Sequence, residues 1–353
     1  MAYFLLSKKI AISQLEKLKQ HFDLVAYSHK TNPEISKILQ DVPDCLFSLH
    51  TISEVNEIKD SKRIIFFLQG QNLEEVNELL NRNIKMFVVD NENDLKILLD
   101  ALTKSQKTIE ILFFRLKFKE HTFYTGKHFV YGFEWKKAIE LISKLESSLV
   151  NKIGIHFHRK TQNVGEWQLK EELEEILSYD ENATKKISLV NMGGGIPWKY
   201  HNSQPNIDLI FKKIDELRQF LHEKNIKLMA EPGRFIASPS VRLVTKVKNV
   251  YDNTIVLDCS IYNSYMDTFL LNIRLRVLNE INENEQGFEY LIKGCSPDSL
   301  DIFRYKVKFK DEVKIGDFIV FLDAGAYNFH TEFQNLEKLK YVIVEDFSED
   351  QIP

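Results

Sequence analysis

The stretch Leu24-Val25-Ala26-Tyr27-Ser28-His29-Lys30-Thr31-Asn32-Pro33 runs from a short apolar strand into a lysine and then into a helix. Taken alone, a lysine at the end of a buried strand commonly snorkels to solvent. A nearby carboxylate, or a Schiff base with an aldehyde cofactor, would also serve it as a partner. The fold is decided by how often this unit recurs. Apolar runs at residues 24–27, 45–49, 63–68, 85–89, 109–116, 152–157, 187–191 and 226–230 make eight. Between them, stretches such as 73–81, 92–102, 135–145 and 207–224 carry apolar residues at helical spacing. Eight strands alternating with helices over about 210 residues fit a (β/α)8 TIM barrel within an α/β chain. A doubly wound sheet is the alternative, but it shows fewer repeats and an early glycine-rich turn.

After Pro239 the rhythm changes. Residues 241–250, 254–257, 275–278, 287–292, 312–322 and 338–344 read as strands joined by short turns, an all-β second domain. A first strand at 3–6 precedes a helix around 13–21 and could join that β domain. The expected division is a barrel over 23–236, with 1–22 and 237–353 forming a Greek-key sandwich or barrel-like β domain. The length of 353 residues suits two domains. A net charge of −4 without a basic stripe argues against nucleic acid. No run approaches the roughly 20 apolar residues of a membrane span, and the N-terminus lacks a signal-peptide layout. Cys45, Cys259 and Cys295 are too few and scattered for a disulfide framework or a metal site. A reducing cytoplasm is the simplest compartment.

A barrel carries its site at the carboxyl ends of its strands. There the first strand leads to Lys30, the fourth to Asp90, and the fifth carries Arg115. The sixth ends in His156-Phe157-His158-Arg159-Lys160-Thr161, the seventh in Asn191-Met192-Gly193-Gly194-Gly195, and the eighth in Glu231-Pro232-Gly233-Arg234. Glycines expose backbone N–H groups to a phosphate. Gly233 could add more, Thr161 a hydroxyl, and Arg234 a guanidinium for phosphate oxygens. His158 offers a ring to stack on an aromatic cofactor. A buried Glu231 wants a positive partner, which a protonated pyridine nitrogen would supply. Singly, each motif is ordinary: a turn, a strand exit, a packed histidine. Jointly, with Lys30, they describe a pyridoxal 5′-phosphate (PLP) site.

The chain resembles the fold-type III PLP-dependent decarboxylases, the group of ornithine, diaminopimelate and carboxynorspermidine decarboxylases, related in fold to alanine racemase. The resemblance runs from about Asp23 to Asn328. Its most specific part is Gly316-Asp317 followed by Asp323-Ala324-Gly325-Ala326-Tyr327. It implies that Lys30 forms the internal aldimine, Glu231 holds the pyridine nitrogen and His158 stacks on the ring. Thr161, Gly194, Gly195, Gly233, Arg234 and Tyr327 would bind phosphate, with Asp90 and Arg115 on the barrel wall. It further implies a homodimer with shared active sites, in which a β-domain loop delivers a Cys and an acidic residue to the partner's barrel. The matching stretch, Gly294-Cys295-Ser296-Pro297-Asp298-Ser299-Leu300-Asp301, places Pro297 at the Cys position and Asp298 at the acidic one. The thiol is absent or moved to Cys295. Arg159 also replaces the glycine usual after His158.

The implied activity is α-decarboxylation of a basic or diamino acid, or of a carboxylated polyamine such as carboxynorspermidine. Asp298 would bind a distal amine, and Arg274 would lie near the substrate. Two rivals stay open. A racemase would carry an arginine rather than Glu231 at the pyridine nitrogen. A non-catalytic regulator of a polyamine enzyme would suit loss of the Cys, but such proteins tend to lose the cofactor lysine.

Overall fold

In the computed structural model, which describes residues 1–118, 131–145, 148–329 and 332–347, the eight apolar runs close into a parallel barrel. A first strand, β1 (Tyr3–Ser7), lies outside it. The barrel strands are β2 (Leu24–Ser28), β3 (Leu46–Leu49), β4 (Ile64–Phe67), β5 (Met86–Val89), β6 (Ile109–Arg115), β7 (Val150–His156), β8 (Ile187–Asn191) and β9 (Lys227–Ala230). The ring shuts where β2 pairs β9, with Leu24 opposite Met229 and Val25 opposite Ala230. These strands read as unbroken apolar runs because both faces are buried. Alternate side chains, among them Ala26, Ile65, Val88, Phe113, Leu189 and Met229, fill the interior. The intervening ones, such as Tyr27, Phe47, Phe66, Phe87 and Phe114, pack under the outer helices. Gly154 of β7 is dictated by this packing, since a Cβ there would clash with the Phe113 ring.

The second sheet has the order β13-β12-β11-β10-β1-β15, with β14 added to β10. Its strands are β10 (Val241–Tyr251), β11 (Thr254–Leu257), β12 (Phe288–Lys293), β13 (Ile302–Phe309), β14 (Phe318–Phe321) and β15 (Lys340–Val344). Strand β1 pairs β10 antiparallel and β15 in parallel, so the chain begins in this sheet before entering the barrel. The helix that follows, Lys8–Lys19, starts five residues earlier than the spacing predicts and is capped by Ser7.

Three expectations for this half need correction. Residues 275–278 form no strand; Val277 makes only an isolated bridge to Phe321. Of 312–322, only Phe318–Phe321 is extended, because Gly316 at φ +100° turns the chain just before it. Strand β13 went unpredicted, although Ile302-Phe303-Arg304-Tyr305-Lys306-Val307 nearly alternates. Lys306 at φ +53° shifts the phase, and the pairing with β12 is irregular beyond Tyr290. The unexpected charge at Arg304 is buried, donating to Leu275 O and to Glu280 Oε2 at 3.0 Å.

At the base of the barrel, Asp23 ties the closing strands together. Its Oδ2 accepts from Leu228 N–H (2.8 Å) and lies 2.8 Å from His222 Nε2, while Oδ1 accepts from Arg218. Burial opposes ionisation of Asp23, but Leu228 N–H, His222 and Arg218 outweigh it and hold the carboxyl below its usual value. Such a group stabilises the fold above its unfolded pKa and loses that contribution as pH falls through the lower folded value. Asp23→Ala should therefore cost about 3 kcal/mol at pH 7 in urea unfolding. The gap to wild type should shrink below about pH 4; an equal gap at both pH values would show that Asp23 acts by packing alone.

Candidate active site

The carboxyl ends of the barrel strands meet the turn at Asp323–Tyr327. Lys30 lies in a short 3-10 turn, His29–Thr31, just past β2. Its side chain is exposed at the mouth, so no desolvation cost has to be met. The turn is held from two sides. Ser28 N–H donates to Pro232 O (3.1 Å) at the exit of β9. Tyr327 N–H donates to Thr31 O (2.9 Å), and Asn32 Nδ2 donates to Gly325 O (3.0 Å). Gly325 has to be glycine, because a Cβ there would overlap Ala237 O. The segment that carries the most specific resemblance thus docks against the lysine turn.

Glu231, at the end of β9, is 6% exposed. Its Oε1 accepts from Asn191 Nδ2 (2.8 Å), and its Oε2 lies 3.4 Å from His156 Nε2. Burial pushes the Glu231 carboxyl up, but His156, Asn191 and His158 together hold it below the usual range. Burial likewise pushes the His156 ring down, against the pull of Glu231. The result is a buried carboxylate held by the Asn191 amide and flanked by the His156 ring. Asn191 and His156 escaped the sequence-based site. The signal was available, since both stand at strand ends, at the exits of β8 and β7. Asn191 has a second task, its Oδ1 accepting from Gly193 N–H (2.9 Å).

His158 follows β7, half-buried. Burial, then the charges of Arg115, His156 and Lys30, push its ring down to about 3, while Glu231 pulls the other way. Lys30, Arg115, His156, His158 and Glu231 are therefore electrostatic neighbours at one mouth, and His158 is neutral at physiological pH. Asp90 accepts from Gln69 Nε2 and Asn91 Nδ2, both at 2.7 Å. Arg115 packs over Tyr131 (4.9 Å).

The glycine run is fixed by crowding. A Cβ at Gly193 would fall 2.5 Å from Phe157 O, and one at Gly195 would fall 2.5 Å from Lys160 O; Gly195 also has φ +101°. Among the described residues, nothing accepts from the N–H groups of Gly194, Gly195, Gly233 or Arg234. Thr161 is half-buried in the neighbouring turn. Arg159, at the expected glycine position, turns aside to pair with Glu172 and Glu166 and packs over Phe118 (5.4 Å). The Arg234 side chain also departs from expectation. Its Nη2 donates to Asp267 Oδ1 (2.9 Å) and its Nη1 to Asp267 Oδ2 and to the Tyr200 hydroxyl (2.8 Å). Its terminal nitrogens are thus engaged by a buried carboxylate and a hydroxyl. That leaves its backbone N–H and Nε for a phosphate.

Cys295 and Asp298 lie in the loop between β12 and β13, tied to the segment after β11. Cys295 N–H donates to Cys259 O (3.0 Å), and Asp298 Oδ1 accepts from Leu300 N–H (2.8 Å). Burial, then a hydrogen bond to Asp298, pushes the Tyr262 hydroxyl up to about 12. Arg274 donates from Nη1 to Thr268 Oγ1 (3.3 Å), and its main chain is bound to Asn202 and His201.

These residues fit a phosphorylated pyridine aldehyde. Spare N–H groups suit its phosphate, a buried carboxylate suits its ring nitrogen, and an exposed amine suits its aldehyde. A (β/α)8 barrel with this mouth, joined to a β sheet through its first strand, defines the fold-type III PLP proteins. Residues 12–238 match the pyridoxal-dependent decarboxylases over their pyridoxal-binding domain, and the chain belongs to that family. It is 29% identical over 216 residues to diaminopimelate decarboxylase of Buchnera aphidicola, a match covering 54% of this chain and 50% of that protein. The chain thus spans about half the length of this curated relative. The fold is shared with diaminopimelate decarboxylase from Helicobacter pylori complexed with L-lysine (TM-score 0.85, 20% identity, 98% of this chain and 92% of that one). It is also shared with lysine/ornithine decarboxylase from Vibrio vulnificus complexed with putrescine (TM-score 0.80, 22% identity, 98% and 95%). No helix among the described residues is long and apolar enough to cross a membrane.

Gly195→Ala should weaken PLP binding by roughly tenfold or more, because both φ and space at this position exclude a Cβ. Absorbance titration of the apoprotein checks this, and unchanged affinity would remove the glycine loop from the site.

Proposed function

We propose that this protein is a PLP-dependent α-decarboxylase of a basic or diamino acid, ornithine- or lysine-like, or of a carboxylated polyamine such as carboxynorspermidine. It would release carbon dioxide and an amine. The observation that carries this reading is the buried, ionised Glu231 beside the exposed Lys30 turn. When bound, PLP supplies an electron sink for the pair left behind by the departing carboxylate. Glu231 would hold a proton on the ring nitrogen, with Asn191 and His156 fixing its orientation. His158, uncharged, would lie against the ring without adding a competing positive charge. Lys30 would hold the aldehyde carbon and yield it to the substrate amine. Gly194, Gly195, Gly233, Arg234, Thr161 and Tyr327 would bind phosphate, with Asp90 and Arg115 on the barrel wall.

The substrate class is argued from Asp298, whose carboxylate suits a distal amine, and from the diamino-acid decarboxylases among the relatives. We place Asp298 in the barrel of a partner copy, within a homodimer. Supporting this, Phe269 and Phe333 are exposed yet pack on Tyr262, the neighbour of Asp298, and Leu300 beside it is exposed as well. An arginine-type racemase site is disfavoured by Glu231. Pro297 favours one rival, a cofactor-holding regulator without turnover.

Incubation with ornithine, lysine, arginine, diaminopimelate and carboxynorspermidine should release carbon dioxide from at least one; silence from all five would favour the regulator. Lys30→Ala should abolish the visible absorbance of the PLP-loaded protein, and an unchanged band would sink the assignment of Lys30. With the active substrate, Asp298→Ala should lower kcat/KM by roughly tenfold or more, chiefly through KM.

A further inference from the structure

Thr31 is 1% exposed, yet its hydroxyl oxygen has no hydrogen-bond partner among the described residues. A buried hydroxyl left without a partner is costly, so a native structure that keeps one calls for an explanation. Its neighbours supply it. Thr31 follows Lys30, and its carbonyl accepts from Tyr327 N–H (2.9 Å). Its Oγ1 lies so close to Gly233 that any Cβ on that glycine would overlap it. Gly233 itself retains an N–H with no acceptor among the described residues. The hydroxyl thus stands where the lysine turn, the β9 exit and the Tyr327 turn converge. It is a donor without an acceptor, next to another donor without an acceptor. The ligand that answers both is one whose oxygens only accept, and a phosphate monoester dianion is that kind of group.

We propose that the Thr31 hydroxyl donates a hydrogen bond to the phosphate of bound PLP. The assignment rests on the PLP-dependent reading above and adds a residue to it. A packing role alone would need only the methyl group, and valine would fill the same space.

The test is PLP and pyridoxal titration of the apoproteins of wild type, Thr31→Val and Thr31→Ser, followed by absorbance, with thermal melting of each apoprotein. Thr31→Val should melt at or above the wild-type temperature, because it removes an unpartnered buried hydroxyl. It should bind PLP on the order of tenfold more weakly, the loss of one hydrogen bond to a charged group. Its affinity for pyridoxal, which lacks the phosphate, should not change. Thr31→Ser should bind PLP within about twofold of wild type. Wild-type PLP affinity in Thr31→Val would overturn the assignment, and so would equal losses for PLP and pyridoxal. If Thr31→Val does not fold, Thr31→Ala compared with Thr31→Ser carries the same contrast. Failure of wild type itself to bind PLP would overturn the parent reading and this assignment together, a result distinct from wild-type binding that Thr31→Val leaves intact.

Discussion

The pairing of β2 with β9 is the constraint on which the rest depends. It joins the two ends of the barrel sequence, so closure carries the entropic cost of a very long loop. The joint is secured below by Asp23, which binds Leu228 N–H and Arg218, and above by Ser28 N–H on Pro232 O. With the joint made, the Lys30 turn and the Glu231–Arg234 exit become adjacent walls of one mouth. Thr31 then rests on Gly233, and the Asp323–Tyr327 turn can bridge both, through Tyr327 N–H on one side and the tight approach of Gly325 to Ala237 on the other. A barrel left open at this seam would keep each motif and lose their conjunction.

The electrostatics of the mouth follow from which charges burial tolerates. Burial lowers both His156 and His158, and leaves His158 neutral. It opposes Glu231 as well, but the nearby His156 ring and the hydrogen bond from Asn191 outweigh it and hold the carboxyl below its usual value. The deepest cation, Arg234, is matched by Asp267 and does not add free positive charge. The mouth then holds the buried carboxyls of Glu231 and Asp90, the side chains of Lys30 and Arg115, and a set of uncharged N–H donors. This separation of a buried carboxylate from uncharged donors would suit the pyridinium and the phosphate of the proposed cofactor. The Arg234–Asp267 pair also joins the exit of β9 to the short helix Asp267–Leu271, which lies between β11 and β12 in the chain.

The barrel was legible in the sequence because burial on both faces makes each strand a run of apolar residues; each strand lies within about two residues of its expected bounds. Its site was legible for the same reason, since parallel strands deliver their exits to one end and short motifs there can be read in register. Partners that arrive by tertiary contact were not legible. Nothing near Arg234 in the chain points to Asp267 or Tyr200. The second sheet was read less well because its strands are half-exposed and bulged. Arg304 hides a buried position behind a charge, and the short helices Ile261–Ser264 and Asp267–Leu271 are too brief to show a period.

The loop that carries Asp298 is held independently of Pro297. Asp301 is wholly buried at its far end, and its carboxylate accepts from Ile261 N–H (2.9 Å) and Ser296 N–H (3.0 Å). Gly294, at the near end, donates its N–H to Asp301 O (2.8 Å) and has no room for a Cβ against the same carboxylate. Both ends are therefore fixed by one residue, and the backbone at 297 is not part of that clamp. Asp298 keeps its place through Asp301 and its neighbour Tyr262, whatever side chain precedes it. The Cys295 thiol is raised by burial and by the Asp301 charge, so it carries its proton at neutral pH. Under the proposed function, recognition of a distal amine by Asp298 and supply of a proton would be separable in this loop. Proline at the position expected for the thiol would alter the second without dismantling the first.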